Sequence, residues 1–167
     1  MEHGAMTNPL IRWLIRRDIP SVLGIERDSV EESLRWTAEH YRLMIRQRGV
    51  IAKTIELAGD VAGVMVFRLG HTEIELYRLI VAPRARRLGL GTMLVQSLEK
   101  HLVGHRDRMV AEVHEEWLDM QLLLRSCGWR ATGIDRQGWI HFELTAELFG
   151  QRVIDQIMTG DVSVIGV

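Results

Sequence analysis

One short segment limits the folds open to this chain more than any other feature. It reads Arg86-x-x-Gly89-x-Gly91, and it lies between an apolar run typical of a strand and a stretch whose leucines recur at helical spacing. Glycines at a strand-to-helix turn let successive backbone amides and the helix N-terminus point at an anion. Arg84 and Arg87 add positive charge beside Arg86. The segment therefore predicts a phosphate-binding loop.

Two better-known phosphate motifs do not fit this loop. The P-loop requires Gly-Lys-Ser/Thr, and no lysine lies in the segment. The dinucleotide fingerprint requires a third small residue, and Leu94 stands in its place. The loop therefore belongs to a different class of phosphate site.

Composition excludes several classes of protein. The 21 basic and 22 acidic residues nearly cancel, so we expect no nucleic-acid partner. The single cysteine, Cys127, forms no intrachain disulfide, and the histidines lack metal-ligand spacing, so we expect no metal. No apolar run approaches the roughly 20 residues of a membrane helix, and the start lacks a signal-peptide pattern. We expect a cytoplasmic protein that binds no membrane.

The order of the apolar patterns predicts an α/β (α+β) fold with one mixed sheet flanked by helices. We expect a tail at residues 1–8, one domain at 9–145 and an extension at 146–167. Asp18 and Thr37 are candidate N-caps of the first two helices. Strands are expected at 10–16, 50–57, 61–69, 73–82, 109–114, 129–134 and 139–144, and helices at 18–26, 37–48, 91–103 and 115–127.

Residues 81–94 resemble motif A of the GNAT superfamily of acetyl-CoA-dependent N-acetyltransferases, most of all its ribosomal-protein-alanine branch. Three further segments are similar to that branch: Ser-Leu-Arg-Trp-Thr at 33–37, Ala-Glu-Val at 111–113 and Leu-Leu-Arg-Ser-Cys-Gly-Trp at 123–129. The resemblance runs from about residue 11 to 144. It implies a single GNAT-like domain with a mostly antiparallel sheet and two splayed parallel strands that hold acetyl-CoA between them.

The resemblance also implies which residues bind the donor. The backbone of residues 79–81 would pair with the pantetheine arm, and the Leu79 amide would stabilise the developing oxyanion. The glycine loop would hold the pyrophosphate. The expected donor-binding residues are Leu79, Ile80, Val81, Arg86, Arg87, Leu88, Gly89, Leu90, Gly91 and Thr92.

Glu112 falls where the branch has its general base, and strand alternation puts Val110, Glu112 and His114 on one face. A charge at a solvated strand position is the alternative for Glu112. His114 is a second candidate base or a water-relay partner, with a surface histidine as its alternative. Glu75 and Tyr77, on the opposite strand, are expected to be structural or to line the acceptor site.

Two positions depart from the branch. Leu124 stands where the branch has a tyrosine that protonates the leaving thiolate, and Trp117 stands where it has an asparagine that contacts the donor. Either another group replaces the tyrosine, with His114, Cys127 and Tyr77 as candidates, or the thiolate leaves unassisted.

These features predict an enzyme that transfers acetyl from acetyl-CoA to a primary amine, either a protein N-terminus or a small molecule such as a polyamine or aminoglycoside. A non-catalytic acyl-CoA-binding or sensing domain is the alternative, and Leu124 is its main support. Near the end of the chain, Phe149, Val153 and Ile157 recur at helical spacing. Together with residues 162–167 they would either cover the core or join a homodimer.

Overall fold

The computed structural model describes residues 8–160, which form seven strands in one sheet and five helices. The sheet order is β1-β2-β3-β4-β5-β7-β6, and only β4 and β5 run parallel. The expected α/β fold with a mixed, mostly antiparallel sheet is confirmed. The elements are β1 (Leu10–Trp13), α1 (Ile19–Ser29), α2 (Ala38–Ile45), β2 (Val50–Leu57), β3 (Asp60–Leu69), β4 (Glu73–Val81), α3 (Leu90–Glu99), β5 (Arg108–His114), α4 (Leu118–Ser126), β6 (Arg130–Ile134), β7 (Trp139–Thr145) and α5 (Ala146–Thr159).

Helices cover both faces of the sheet. Arg78 on β4 binds Glu26 on α1, whereas Phe67 on β3 packs against His101, just after α3. Val66 lies opposite Arg78 and shares its face, so the next residue, Phe67, points to the other face. Strand β3 is accordingly buried over six consecutive residues, as expected for a strand covered on both sides.

Strands β4 and β5 pair over only four residues each. Residues 73–76 pair with residues 108–111, after which β4 stays bonded to β3 and β5 to β7. Tyr77 is an extra residue in the β3–β4 register, which makes it a bulge where β4 bends. A V-shaped gap therefore opens beyond Leu76 and Ala111, and the two splayed parallel strands are confirmed.

Local hydrogen bonds end some elements earlier than expected. Strand β1 ends at Trp13 rather than at residue 16, because a 3-10 turn follows in which Asp18 accepts the N–H of Ile15. Helix α3 ends at Glu99 rather than at 103, because the next N–H groups bond only three residues back. Helix α2 likewise ends at Ile45, where a turn leads into β2.

The two expected N-caps behave differently. Thr37 caps α2 as expected, since its hydroxyl accepts the N–H of His40 at 3.2 Å. Asp18 precedes α1, but its carboxylate does not cap the helix, because Arg12 and the Ile15 N–H occupy it. The expectation of a side-chain cap at Asp18 was therefore wrong.

The ends of α4 and α5 also matter for the site. Helix α4 begins at Leu118 rather than at 115, because the Gln121 side chain donates to the carbonyls of His114 and Glu115 and keeps them out of the helix. Helix α5 packs Phe149 against the core and leaves Ile157 exposed. Residues 162–167 lie outside the described residues. Among residues 8–160, no helix is both long and apolar enough to span a bilayer.

Candidate active site

The edge of β4 that faces the V-shaped gap carries backbone groups that do not bond to a neighbouring strand. In an antiparallel pair, alternate residues direct N–H and C=O towards the partner strand. The N–H of Ala82 donates to the carbonyl of Ala62 on β3. By alternation Ile80 also bonds to β3, whereas Leu79 and Val81 direct their backbone groups into the gap. An extended ligand can pair with this edge as an added strand.

The loop before α3 presents a second set of free amides. Gly89 precedes α3 in the left-handed region at φ 76°, where a side chain would cost about 1–2 kcal/mol. Arg87 carries a side chain in the same region at φ 62°. The first bond of the helix runs from the Met93 N–H to the Gly89 carbonyl, so the amides of residues 90–92 have no helical partner. Free amides at a helix start suit a phosphate group.

The strand edge and the loop line one cleft of about 490 Å³, called the donor cleft below. Leu88 is 57% exposed and does not line it. The other nine expected donor-binding residues do: Leu79, Ile80, Val81, Arg86, Arg87, Gly89, Leu90, Gly91 and Thr92.

Helices outside the glycine motif complete the donor cleft. Ser29, Met120 and Leu123 line it, and none of them was expected from the sequence. The Ser29 hydroxyl donates to the carbonyl of Val81 at 3.4 Å. No local pattern could have identified these residues, because long-range packing alone brings α1 and α4 to the gap. Trp117, the departure from the expected asparagine, also lines the cleft.

Arg86 already has a carboxylate partner at the donor cleft. Its Nη1 lies 3.0 Å from Oδ2 of Asp119, and this ion pair joins the glycine loop to α4. Both side chains are partly exposed, so the pair is weak and a phosphate can compete for the guanidinium. Arg84 donates instead to the backbone carbonyl of Val61 and does not line the cleft.

The position of the missing tyrosine lies in the core. Leu124 is completely buried and lines no part of the donor cleft. Cys127 is also buried, and burial raises the pKa of its thiol, so it stays protonated and packed as a small apolar residue. Neither side chain offers an accessible proton beside the gap.

A second cleft of about 750 Å³, called the acceptor cleft below, lies between α2 and the strands β4, β5 and β7. Glu112 lines it, and its side chain is 64% exposed. Nδ1 of His141, the register partner of Glu112 on β7, lies 3.2 Å from the carboxylate. Trp36 and Tyr77 also line this cleft.

Tyr77 keeps its phenolic proton. Its hydroxyl donates to Oε2 of Glu75 at 2.7 Å. Burial, followed by this hydrogen bond, raises the pKa of Tyr77 to about 12. Tyr77 therefore lines this cleft as a neutral phenol.

His114 lies on the same face as Glu112 but lines neither cleft. Its Nδ1 accepts the N–H of Glu116 at 3.3 Å, so Nε2 carries the proton and donates to the carbonyl of Gln137 at 3.2 Å. Both ring nitrogens are thus engaged, and the ring packs edge-on against Trp139. The structure does not bring His114 together with the donor-binding residues.

A buried arginine separates the two clefts. The guanidinium of Arg78 lies 5.1 Å from the ring of Trp36, in the acceptor cleft, and 4.9 Å from the ring of Trp117, in the donor cleft. Glu26 binds it through two hydrogen bonds from α1. The donor and acceptor clefts therefore adjoin at the V-shaped gap. Within residues 8–160 no cluster of three or more potential metal ligands occurs.

Comparisons with known proteins agree with this geometry. The sequence profile of the acetyltransferase (GNAT) family matches residues 11–129. Among curated protein sequences, none matches the chain significantly. Many solved structures share its fold.

Three of these structures illustrate the likeness. The ribosomal-protein-S18-alanine N-acetyltransferase of Escherichia coli is 18% identical, with a TM-score of 0.69 over 83% of this chain and 94% of that one. The PaiA N-acetyltransferase of Thermoplasma acidophilum, in complex with coenzyme A, is 15% identical, with a TM-score of 0.67 over 83% and 99%. Ard1 of Thermoplasma volcanium is 21% identical, with a TM-score of 0.68 over 82% and 97%.

At these identities the structures establish the fold, while the match of the family profile over most of the chain establishes the family. The V-shaped gap, the glycine loop and the profile all point to the same group of enzymes. This chain belongs to the GNAT family of acetyltransferases and consists of a single GNAT-like domain with one parallel strand pair.

Proposed function

We propose that this protein transfers an acetyl group from acetyl-CoA to a primary amine that binds in the acceptor cleft. The observation that carries the proposal is the V-shaped gap. On its β4 edge, the backbone groups of Leu79 and Val81 point into the gap, and the donor and acceptor clefts adjoin there. A thioester laid along one side of the gap and an amine entering from the other would meet.

Acetyl-CoA supplies an acyl group that a thioester has already activated. The backbone of Leu79 and Val81 would hold the pantetheine arm, and the amides of residues 90–92 would hold the pyrophosphate. The N–H of Leu79 points into the gap and would stabilise negative charge on the acetyl oxygen during attack. Apolar side chains of Trp117 and Leu123 would exclude water from this side.

Glu112 is the proposed general base. Its carboxylate is accessible in the acceptor cleft just beyond the last β4–β5 pair, and His141 holds it in place. It would take a proton from the acceptor amine, directly or through one water. His114 as a second base or relay stays a prediction, and it would have to give up one of its two hydrogen bonds.

No side-chain acid is assigned to the leaving thiolate. Leu124 has no proton to give, Cys127 is buried, and the proton of Tyr77 is held by Glu75. The thiolate of coenzyme A is a good enough leaving group to depart without protonation. A homodimer and a cytoplasmic location stay predictions.

The test is transfer of labelled acetyl from acetyl-CoA to a panel of N-terminal peptides and small amines, read by mass spectrometry. Replacing Glu112→Gln should lower kcat about 100-fold near neutral pH. The loss should shrink at high pH, where the amine is already deprotonated. The matched control is Glu147→Gln on α5, an exposed residue that lines neither cleft.

Two results would contradict parts of the proposal. Unchanged rate and pH profile in Glu112→Gln would remove Glu112 as the base. Binding of acetyl-CoA without transfer to any amine would favour an acyl-CoA-binding domain instead. Burial of Leu124 in place of an accessible acid is the observation that supports this alternative.

A further inference from the structure

The lining of the acceptor cleft is strongly acidic. Four glutamates contribute to it, and among its lining residues there is no lysine or arginine; the glutamates are Glu73, Glu75, Glu112 and Glu143. The chain as a whole is nearly neutral, with a net charge of −1. The lining of this cleft is therefore more negative than the chain as a whole.

The strand register places these carboxylates at regular intervals. Glu75, Val110 and Glu143 are neighbours in one row across β4, β5 and β7. Glu112 lies two residues beyond Val110 towards the gap, so it is diagonal to both flanking glutamates, at about 7–8 Å between Cα atoms. Glu73 lies two residues before Glu75, on the side away from the gap.

Nearby cations compensate part of this charge. Arg68 forms an ion pair with Glu75 through Oε2, which Tyr77 also binds, so Oε1 has no hydrogen bond among the described residues. Arg108, the register partner of Glu73, is hydrogen-bonded to Asp107 and offsets part of the charge of Glu73 and Glu143 without an ion pair to either among the described residues. Arg130, opposite Glu143 in register, lines a separate groove beside α5.

One histidine of the cleft, His40, adds little positive charge at neutral pH. His40 stacks on Trp36 at 4.3 Å between ring centroids. Burial, and secondarily the charge of Arg78, lower the pKa of His40 below its usual value, so its imidazole is uncharged at pH 7. His141 lies against the Glu112 carboxylate.

Apolar side chains lie between and beside the carboxylates. Val110 lies in the same row as Glu75 and Glu143, and Trp36, Met44 and Trp139 also line the cleft. A row of carboxylates separated by apolar surface fits a ligand whose positive charges are separated by methylene groups. A monoamine or a peptide with a neutral second residue would leave Glu143 without an ion-pair partner among the described residues, since of Glu75 and Glu143 only Glu75 has one, in Arg68.

We propose that the acceptor is an aliphatic diamine or polyamine, with the reacting nitrogen beside Glu112 and a second ammonium group between Glu75 and Glu143. This inference rests on the proposed function and names its substrate class. The second amine stays protonated, and its positive charge supplies binding free energy. It also repels the proton of the reacting amine, which then passes more readily to Glu112 before attack on the thioester.

The test compares three probes of equal length: 1,4-diaminobutane, 1-aminobutane and 4-aminobutanoate. We expect kcat/KM about tenfold higher for the diamine than for the monoamine, with the aminobutanoate last, because each partly exposed ion pair adds up to a few-fold. The preference should weaken as salt is added. An N-terminal peptide with a neutral second residue completes the panel.

Charge-neutral variants then locate the second ammonium. Glu143→Gln should lower the ratio of kcat/KM for diamine over monoamine about threefold, and Glu75→Gln combined with it about tenfold. Glu147→Gln removes the same charge outside both clefts and should leave the ratio unchanged. Retained acetyl-CoA affinity and melting temperature would show that each variant is folded.

Calorimetric binding of the same amines keeps this inference separate from the proposed function. Preferential binding of the diamine without acetyl transfer would refute catalysis and support the acidic subsite. Equal affinity and equal kcat/KM for diamine and monoamine would overturn the subsite, whether or not transfer occurs. Preference for the neutral peptide over the diamine would overturn it as well.

Discussion

Gly63 on β3 is the register partner of Val81 on β4. A Cβ at this position would sit 2.9 Å from the carbonyl oxygen of Ile80 and 3.0 Å from Cγ2 of Ile55. The backbone oxygen cannot yield without moving β4 itself. The lack of a side chain at Gly63 therefore lets β4 lie where it does, and with it the strand edge formed by Leu79 and Val81.

Replacing Gly63→Ala should lower the free energy of unfolding by about 2 kcal/mol, because the added methyl group overpacks a closed site. It should also weaken acetyl-CoA binding several-fold, since the displaced strand carries Leu79. Urea unfolding and calorimetry measure the two effects. Gly133→Ala is the control, because a Cβ there meets nothing within 4 Å. Equal effects in both variants would contradict the argument.

At the scale of single residues, the sequence predicted what depends on local alternation. Glu112 could be assigned to a strand face because every second residue shares that face. The engagement of His114 could not, since its partner Gln137 belongs to a turn 23 residues away. The row formed by Glu75 and Glu143 could not be predicted either, because it depends on the register of three strands.

At the scale of elements, one buried ion pair joins α1, α2 and β4. Glu26 binds Arg78 through both carboxylate oxygens, and Tyr41 on α2 donates its hydroxyl to the same carboxylate at 2.6 Å. Burial, followed by the charge of Glu26, raises the pKa of Tyr41, so its hydroxyl remains a donor. The Arg78 guanidinium also donates to the carbonyl of Leu34, in the α1–α2 connection.

Removing the charge of Glu26 should destabilise this corner of the fold. Glu26→Gln leaves the buried guanidinium of Arg78 without a counter-charge, and we expect a loss of about 3 kcal/mol in the free energy of unfolding. Glu39→Gln on α2 breaks only an exposed pair with Arg42 at 3.8 Å and should cost less than about 1 kcal/mol. Urea titrations measure the free energy of unfolding of both variants. Equal losses would mean that the buried Glu26–Arg78 pair stabilises the fold no more than the exposed pair does.

The elements themselves were largely predictable, and their arrangement was only partly so. Strand β2 has the expected bounds, because a tight turn and a left-handed glycine delimit it. The β6–β7 hairpin was also expected. Its insertion with β7 next to β5 depends on long-range pairing that no local pattern encodes. The start of α4 was shifted because the Gln121 side chain binds the backbone carbonyls of His114 and Glu115.

At the scale of the whole molecule, the two clefts behave as parts of one site. The donor cleft lies between the glycine loop and α4, and the acceptor cleft lies between α2 and the open face of β5 and β7. Arg78, beside the gap between β4 and β5, lies about 5 Å from the rings of Trp36 in the acceptor cleft and Trp117 in the donor cleft. Sequence motifs predicted the donor side, whereas the acceptor side is built by segments far apart in the chain.

A ligand that occupies both clefts at once should therefore bind more tightly than coenzyme A. In such a compound, coenzyme A is joined through its sulfur and an acetyl bridge to the nitrogen of 1-aminobutane. We expect a Kd about 100-fold lower than that of coenzyme A, because the second contact becomes intramolecular. The neutral butyl tail makes this independent of the acidic subsite. Calorimetry gives both dissociation constants. Equal values would mean that one ligand cannot occupy both clefts through the gap.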